Sequence, residues 1–440
     1  MERIDHIIHA KWVITCEENN RVLENHALLL KAGKIHGILP SKDATEKYTT
    51  TPHTHFASHA IMPGLINSHT HISMNGFRGL ADDMELMDWL NNYIWPAEGK
   101  WVSEEMVYDF SLLAMAEMIR CGTTCFNDMY FFLGATARAA ELSGMRAHIG
   151  MTVIDVPTAW AQTTDEYFAK AIEFADQYKN HERITPTLAP HSTYTVSLEN
   201  LIRVKKLADE YKFKTNIHLH EANSEIQQSI SQFGKRPLAR LNDIGMVTPD
   251  LIAVHMTQID DSDFAIIEKN KPSIVHCPES NMKLASMGIG GCPVERFAKM
   301  GVNVALGTDG AASNNDLNML GEIRSAAFIG KVIANDPKAV SAVYALKMAT
   351  LNGAKALGVD HLTGSLEVGK AADFIAIDLD EIETQPLYHP VSQVVYAASR
   401  TQVTDVWVAG KPLLKDRKLM TLDEKELLNK AKTWRKKIES

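Results

Sequence analysis

Between residues 59 and 363, short apolar runs alternate with helical stretches, and the alternation repeats eight times. The runs are AIMPGLI (60–66), TTCFNDM (123–129), RAHIGMTVI (146–154), RITPTLAP (183–190), KTNIHLH (214–220), LIAVHM (251–256), SIVHC (273–277) and VNVALGTD (302–309). The plainest helix signal is SEEMVYDFSLLAMAEMIRCG (103–122). Ser103 suits the N-cap, Glu104 and Glu105 place acids in the first turn, and Gly122 suits the stop. Met106 stands where a full capping box would need Glu or Gln. Strand and helix alternating eight times predict a closed parallel (β/α)8 barrel of the TIM type. An open doubly wound sheet is the alternative, but no GxGxxG follows the first strand.

The two ends of the chain differ from this middle. Residues 1–58 and 364–420 read as short strands broken by turns, as in NHALLLKAGKIHGILP and VTDVWVAGKPLL. They predict one composite β-sandwich domain beside the barrel of residues 59–363, with a C-terminal helix over 421–440. A core built by 440 residues needs no metal or disulfide for stability, so any metal is expected to be catalytic. The net charge of −9 argues against a nucleic-acid partner. The basic stretch Lys430 to Lys437 reads as a solvated helix face. Five cysteines without a CxxC pair suit reduced thiols and a cytoplasmic setting. No leader pattern opens the sequence, and no apolar run reaches the roughly 18 residues of a membrane span.

The chemistry concentrates at strand ends. Asn67-Ser68-His69-Thr70-His71 follows the first run, and residues i and i+2 of an extended segment point the same way. His69 and His71 therefore present two imidazoles, which are ligands for zinc and other borderline divalent metals. Alone, an HxH is a weak signal. However, His191, His218, His220, His255, His276 and Asp309 also fall at the ends of later strands, the rim where barrels gather catalytic groups. Incidental histidines would not all choose strand ends, so a metal centre is expected. His218 and His220 share parity, and strand geometry does not choose between them.

The segments NSHTH, IHLHEA, VHCPESNMKLAS, LGTDGAASNN and GSLEVGKAADFIAID resemble the amidohydrolase superfamily. The resemblance spans nearly the whole chain. It is closest to the deaminase and chlorohydrolase branch, and within it to the 5′-methylthioadenosine/S-adenosylhomocysteine deaminases. It implies one metal per subunit, Zn²⁺ before Fe²⁺ or Mn²⁺, held by His69, His71, His218 and Asp309. His218 is selected because the family ligand stands three residues before the catalytic glutamate, here Glu221; His220 is then a rim histidine. The fourth-strand end reads Ala189-Pro190-His191 and offers no lysine for a bridging carbamate.

By the same resemblance, a metal-bound hydroxide would attack the purine. Glu221 would protonate a ring nitrogen, while Asp309 and His255 would handle the protons of water and leaving group. Glu98 and His191 would bind the nucleoside, with Trp89, Trp95 and Phe77 as candidate walls. The implied reaction is hydrolytic deamination of 5′-methylthioadenosine, S-adenosylhomocysteine or adenosine to the inosine analogue and ammonia. The implied partners are the small nucleoside and, as is common in the family, further copies of the chain; no membrane is implied. A guanine or other heterocycle deaminase, or a triazine chlorohydrolase, would use the same metal site. A non-catalytic scaffold is the alternative of another class, against which all four ligands, Glu221 and His255 are retained.

Two departures stand out. Leu284 to Pro293 forms a longer, glycine-rich loop that is expected to reshape the pocket. No arginine follows the third strand, where Asp155-Val156-Pro157-Thr158-Ala159-Trp160 stands and Arg146 lies too early; this predicts weaker binding of S-adenosylhomocysteine than of methylthioadenosine or adenosine. Cys277 reads as a buried structural thiol. Cys121 and Cys125 do not form the PCxxC of the cytidine-deaminase fold.

Overall fold

The computed structural model describes residues 3–288 and 290–439. The middle of the chain forms one sheet of parallel strands: Leu65–His71, Thr123–Tyr130, Arg146–Val153, Ile184–Pro190, Thr215–Leu219, Leu251–His255, Ser273–His276, then Val304–Leu306 and Asp309–Gly310. The last two are pieces of one interrupted strand. Val304–Leu306 pairs with Ser273–His276, while Asp309–Gly310 pairs with Leu65–His71, which closes the (β/α)8 barrel. Strand interiors are buried on both faces, which is why they read as nearly continuous apolar runs.

The apolar run 60–66 is shared between two sheets. Its first half ends the strand His53–Pro63 of the terminal sheet, and its second half begins the first barrel strand. The chain crosses at Gly64, where an added Cβ would meet Thr124 Oγ1 at 2.1 Å. Apolarity reports burial, not which sheet does the burying. The polar residues Asn67 to His71 belong to the first barrel strand itself.

The two ends of the chain meet in the small β-domain as an eight-stranded mixed sheet. His53–Pro63 is its junction: it runs parallel to His6–Ile14 and antiparallel to Phe374–Asp378. The helix Glu104–Arg120 is capped as its sequence predicts, with Ser103 accepting from the Met106 backbone N–H. The C-terminal helix Glu424–Glu439 docks on it. Lys430 and Trp434 donate to the two oxygens of buried Asp109 at 2.8 and 2.9 Å, so the basic stretch is not solvated throughout. All five cysteines are free and buried, Cys277 included. No helix among the described residues is long and apolar enough to cross a membrane.

A buried ion pair ties the barrel to the terminal sheet. Arg146, at the start of the third strand, donates to Asp373 through Nε at 2.6 Å and Nη2 at 3.2 Å; the two side chains are 7% and 0% exposed. Asp373 also accepts the Ala409 backbone N–H at 2.7 Å. Removing one partner leaves the other charge buried and unpaired. Asp373→Ala is therefore expected to lower stability by about 3–5 kcal/mol, read as a fall in the denaturant midpoint, whereas replacing both partners by apolar residues recovers much of that loss.

Candidate metal centre and active-site cavity

Four side chains converge at the C-terminal rim of the barrel. His218 Nε2 lies 3.0 Å from His69 Nε2 and 3.2 Å from His71 Nε2. Asp309 Oδ1 lies 3.5 Å from His69 Nε2 and 3.2 Å from His71 Nε2. His255 joins the group: one ligand atom from each of His69, His218, His255 and Asp309 lies within 4.8 Å of the others. The HxH geometry needs only the strand pleat, and barrel closure supplies Asp309, which pairs with Thr70 between the two histidines.

The remaining ring nitrogens are engaged from outside. His71 Nδ1 donates to the Met129 carbonyl at 2.6 Å, and His218 Nδ1 to the His191 carbonyl at 2.9 Å. Each then turns a lone pair from Nε2 toward the other. Facing lone pairs about 3 Å apart repel unless a proton or a cation lies between them. The Asn216 amide contacts His69 Nδ1 at 3.1 Å. Asp309 Oδ2 accepts from Ser280 at 2.7 Å and Ser313 at 3.0 Å, leaving Oδ1 for the histidines. Burial alone would lower His71, but Asp309 and the Met129 carbonyl raise it to about 9. Burial and the neighbouring His69 hold His218 well below its ordinary value. Burial would raise Asp309, but hydrogen bonds from His69 and His71 hold it well below the usual carboxylate range. Three imidazoles, an ionised carboxylate and a point built to carry positive charge fit a divalent metal of zinc's ligand preference.

His220 stands apart. The fifth strand ends at Leu219, and His220 takes a left-handed φ of 55°, so its parity with His218 is lost. Its Nδ1 contacts the Gln258 carbonyl at 3.1 Å, and its Nε2 accepts the Leu238 N–H at 3.0 Å. His276 ends the seventh strand as expected, but it is fully buried without a hydrogen-bond partner on either ring nitrogen.

Glu221 and His255 face each other beside the cluster. Their Oε2 and Nε2 are 3.7 Å apart. Burial, and then the charge of Asp309, push the Glu221 carboxyl well above the usual carboxylate range. Asn281 Nδ2 donates to His255 Nδ1 at 3.1 Å, which places the His255 proton on Nε2, an atom buried without a protein partner. Burial lowers His255, so it is neutral at neutral pH. Glu225 accepts the Glu221 backbone N–H at 2.9 Å and fixes the turn that carries it.

A cavity of about 400 Å³ opens over these groups. His191 and Glu98 line it with Trp89 and Trp95. Phe77 does not; it is packed in a hydrophobic cluster with Met74 and Phe110. Tyr130 Oη donates to Glu98 Oε1 at 2.7 Å, and burial raises the Glu98 carboxyl. His191 Nδ1 is tied to Thr195 Oγ1 at 2.9 Å. Val156, Pro157, Thr158 and Ala159 form the wall after the third strand, while Arg146 is held by Asp373. Among the described residues, no lysine or arginine lines the cavity. The loop after the seventh strand contributes Leu284, and Thr257 and Gln258 hold its Ser286 carbonyl; Ile289 lies outside the described residues. Sequence reasoning missed Tyr130, Ser280, Asn281 and Ser313. The last three sit inside the quoted motifs next to a strand end, where a polar run after a ligand strand was the available signal.

The model of the Amidohydrolase family matches residues 60–413. A 5-methylthioadenosine/S-adenosylhomocysteine deaminase of Teredinibacter turnerae is 46% identical over 99% of this chain and 98% of its own length. A 5′-deoxyadenosine deaminase of Methanosarcina barkeri is 40% identical over 97% of this chain and 96% of its own. A solved adenosine deaminase from Xanthomonas campestris, with bound zinc, superposes with a TM-score of 0.95 at 46% identity, covering 99% of both chains. The fold extends to the atrazine chlorohydrolase TrzN of Arthrobacter aurescens, with a TM-score of 0.90 at 21% identity over 98% of this chain and 99% of that one. By motif order, barrel geometry and full-length similarity, the chain belongs to the amidohydrolase family.

Proposed function

We propose that this chain is a zinc-dependent aminohydrolase that converts adenosine-type nucleosides to their inosine analogues and ammonia. The observation that carries the reading is a buried carboxyl of raised pKa, Glu221, set beside His255 and the His₃Asp cluster in one cavity with Glu98. The names of full-length relatives support a 5′-modified adenosine as substrate.

His69, His71, His218 and Asp309 would hold the metal. Zinc held there supplies Lewis acidity that brings the pKa of water down to about 7. Asp309, ionised and anchored by two serines, takes a proton. His255, with its N–H directed by Asn281, orients the attacking oxygen and shares the proton traffic. Glu221 keeps its proton at neutral pH and delivers it to purine N1, which makes C6 electrophilic; ammonia leaves as the ring recovers its aromatic system. Glu98, oriented by Tyr130, accepts from the two ribose hydroxyls, and His191 contacts the nucleoside. A free base or a triazine has no diol for Glu98, which favours the nucleoside over those substrates. Five buried unpaired thiols suit a reducing, cytoplasmic setting.

Glu221→Gln should lower kcat by about 10²- to 10⁴-fold, followed as ammonia release from methylthioadenosine. Because the acid must be protonated, kcat/KM should hold on the acid side of its raised pKa and fall as pH rises through it. A rate that instead climbed through that range would remove Glu221 from the acid role. His218→Ala should copurify without metal, measured by mass spectrometry, while unfolding cooperatively like the parent. Glu98→Ala should raise KM for nucleosides roughly tenfold or more, equivalent to about 1.4 kcal/mol or more, and spare a free purine base. Failure of the parent enzyme to turn over adenosine or any 5′-substituted adenosine would overturn the assignment.

A further inference from the structure

A second histidine cluster lies on the terminal sheet, on strands that take no part in the cavity. His53 and His55 stand at i and i+2 of the strand His53–Pro63, on one face. The parallel neighbour His6–Ile14 sets His9 directly opposite His55. One ring nitrogen from each of the three lies within 4.8 Å of the others. An i, i+2 pair with a third histidine in register on the adjacent strand is a layout that brings three imidazoles to one patch of a sheet.

The hydrogen bonding leaves lone pairs inside that patch. His53 Nε2 donates to the Tyr48 carbonyl at 3.0 Å, so its Nδ1 carries a lone pair. His9 Nε2 donates to that Nδ1 at 2.8 Å, a bond that an ion would have to displace, and this leaves the His9 lone pair on Nδ1. His9 itself is 4% exposed, and its Nδ1 has no partner. A buried ring nitrogen without a partner is a cost the fold would shed if nothing used it. Burial, then His55 and His53, lower His9 to about 4, so it is unprotonated at neutral pH. A surface groove lined by His9, His55, Ser41 and Glu46 opens beside the rings, with a carboxylate to offset positive charge.

We propose that His9, His53 and His55 form a second site for a divalent transition metal of the zinc, nickel and copper class, separate from the catalytic centre. Neutral imidazoles suit these ions and not magnesium or calcium, which take oxygen ligands. The His9 and His55 rings are stacked, 4.3 Å apart and within 8° of parallel. Stacked rings cannot aim in-plane lone pairs at a common point. His53 lies within 13° of His9 and 10° of His55, so when the ion binds the exposed His55 must turn out of the stack and the His9–His53 pair must also reorient about its side-chain torsions. The bound ion then ties the strand that opens the terminal sheet to the strand that leads into the barrel.

The test uses tag-free enzyme already loaded at the catalytic centre, titrated with Zn²⁺ or Ni²⁺ by calorimetry, with metal content checked by mass spectrometry. Wild type is expected to take up one more equivalent than the double variant H53Q/H55Q and to gain thermal stability from it; deamination is expected to be unchanged in both. The single variant H55Q, at an exposed position with no hydrogen bond to lose, should weaken the extra site by about tenfold or more and serves if the double variant folds poorly. Equal uptake by wild type and H55Q, or no uptake beyond the catalytic equivalent, overturns the proposal. The readout is a difference between variants, so it is independent of the catalytic assignment.

Discussion

Asp309 pairs with Thr70 across the two strands that close the barrel, and this register sets the distances among the rim ligands. The eighth strand is interrupted at Gly307 and Thr308. At Gly307 a Cβ would meet the His69 carbonyl oxygen at 2.7 Å, so no other residue allows the last strand to approach the first this closely. The Thr308 backbone N–H donates to Asn67 Oδ1, and Asn67 Nδ2 donates back to Thr308 Oγ1. The closure is thus fixed on both sides of the ligand. His255 and Asp309 hold left-handed backbone angles of 75° and 60°, a conformation that costs non-glycine residues on the order of 1–3 kcal/mol each. The rest of the barrel over-determines that strain, and it aims the functional side chains inward where a relaxed strand end would splay them.

Within this frame, two carboxyls a short distance apart are driven in opposite directions. Asp309 accepts from two serine hydroxyls and lies beside the His69 and His71 rings, which favour its anion. Glu221 is buried against an apolar wall with the Asp309 charge nearby, and both effects favour its neutral form. In the proposed mechanism it is therefore the environment, not the residue type, that would make Asp309 the base and Glu221 the acid. The Asp309 charge itself raises the proton affinity of Glu221, so the two proposed roles would be set together.

Much of this was legible in the sequence, and the failures have physical causes. The eight strand and helix alternations, the pairing of the chain ends and the six histidine and carboxylate positions at strand ends follow from periodicity and position. The division of residues 60–66 between two sheets does not, because hydrophobicity records burial without direction. The choice between His218 and His220 was closed to parity, since the strand ends between them and a backbone reversal turns His220 away. Phe77 reads as a candidate wall but lies in the core, because an aromatic side chain carries no mark of whether it faces a cavity or packs away from it. Tyr130 on Glu98, Ser280 and Ser313 on Asp309, and Asn281 on His255 act across separate elements, and no local pattern connects such partners.

The lining of the cavity also bears on which purines in a cell reach the metal. Asp309 carries the negative charge that faces the space, burial raises the Glu98 and Glu221 carboxyls, and among the described residues no lysine or arginine lies on the wall. A phosphate placed against that wall would lose hydration and meet no guanidinium or ammonium group, and burying an ion without a close partner costs several kcal/mol. On the proposed reading, a wall without a lysine or arginine is poorly matched to phosphorylated adenine nucleotides, although these share the base and the ribose diol.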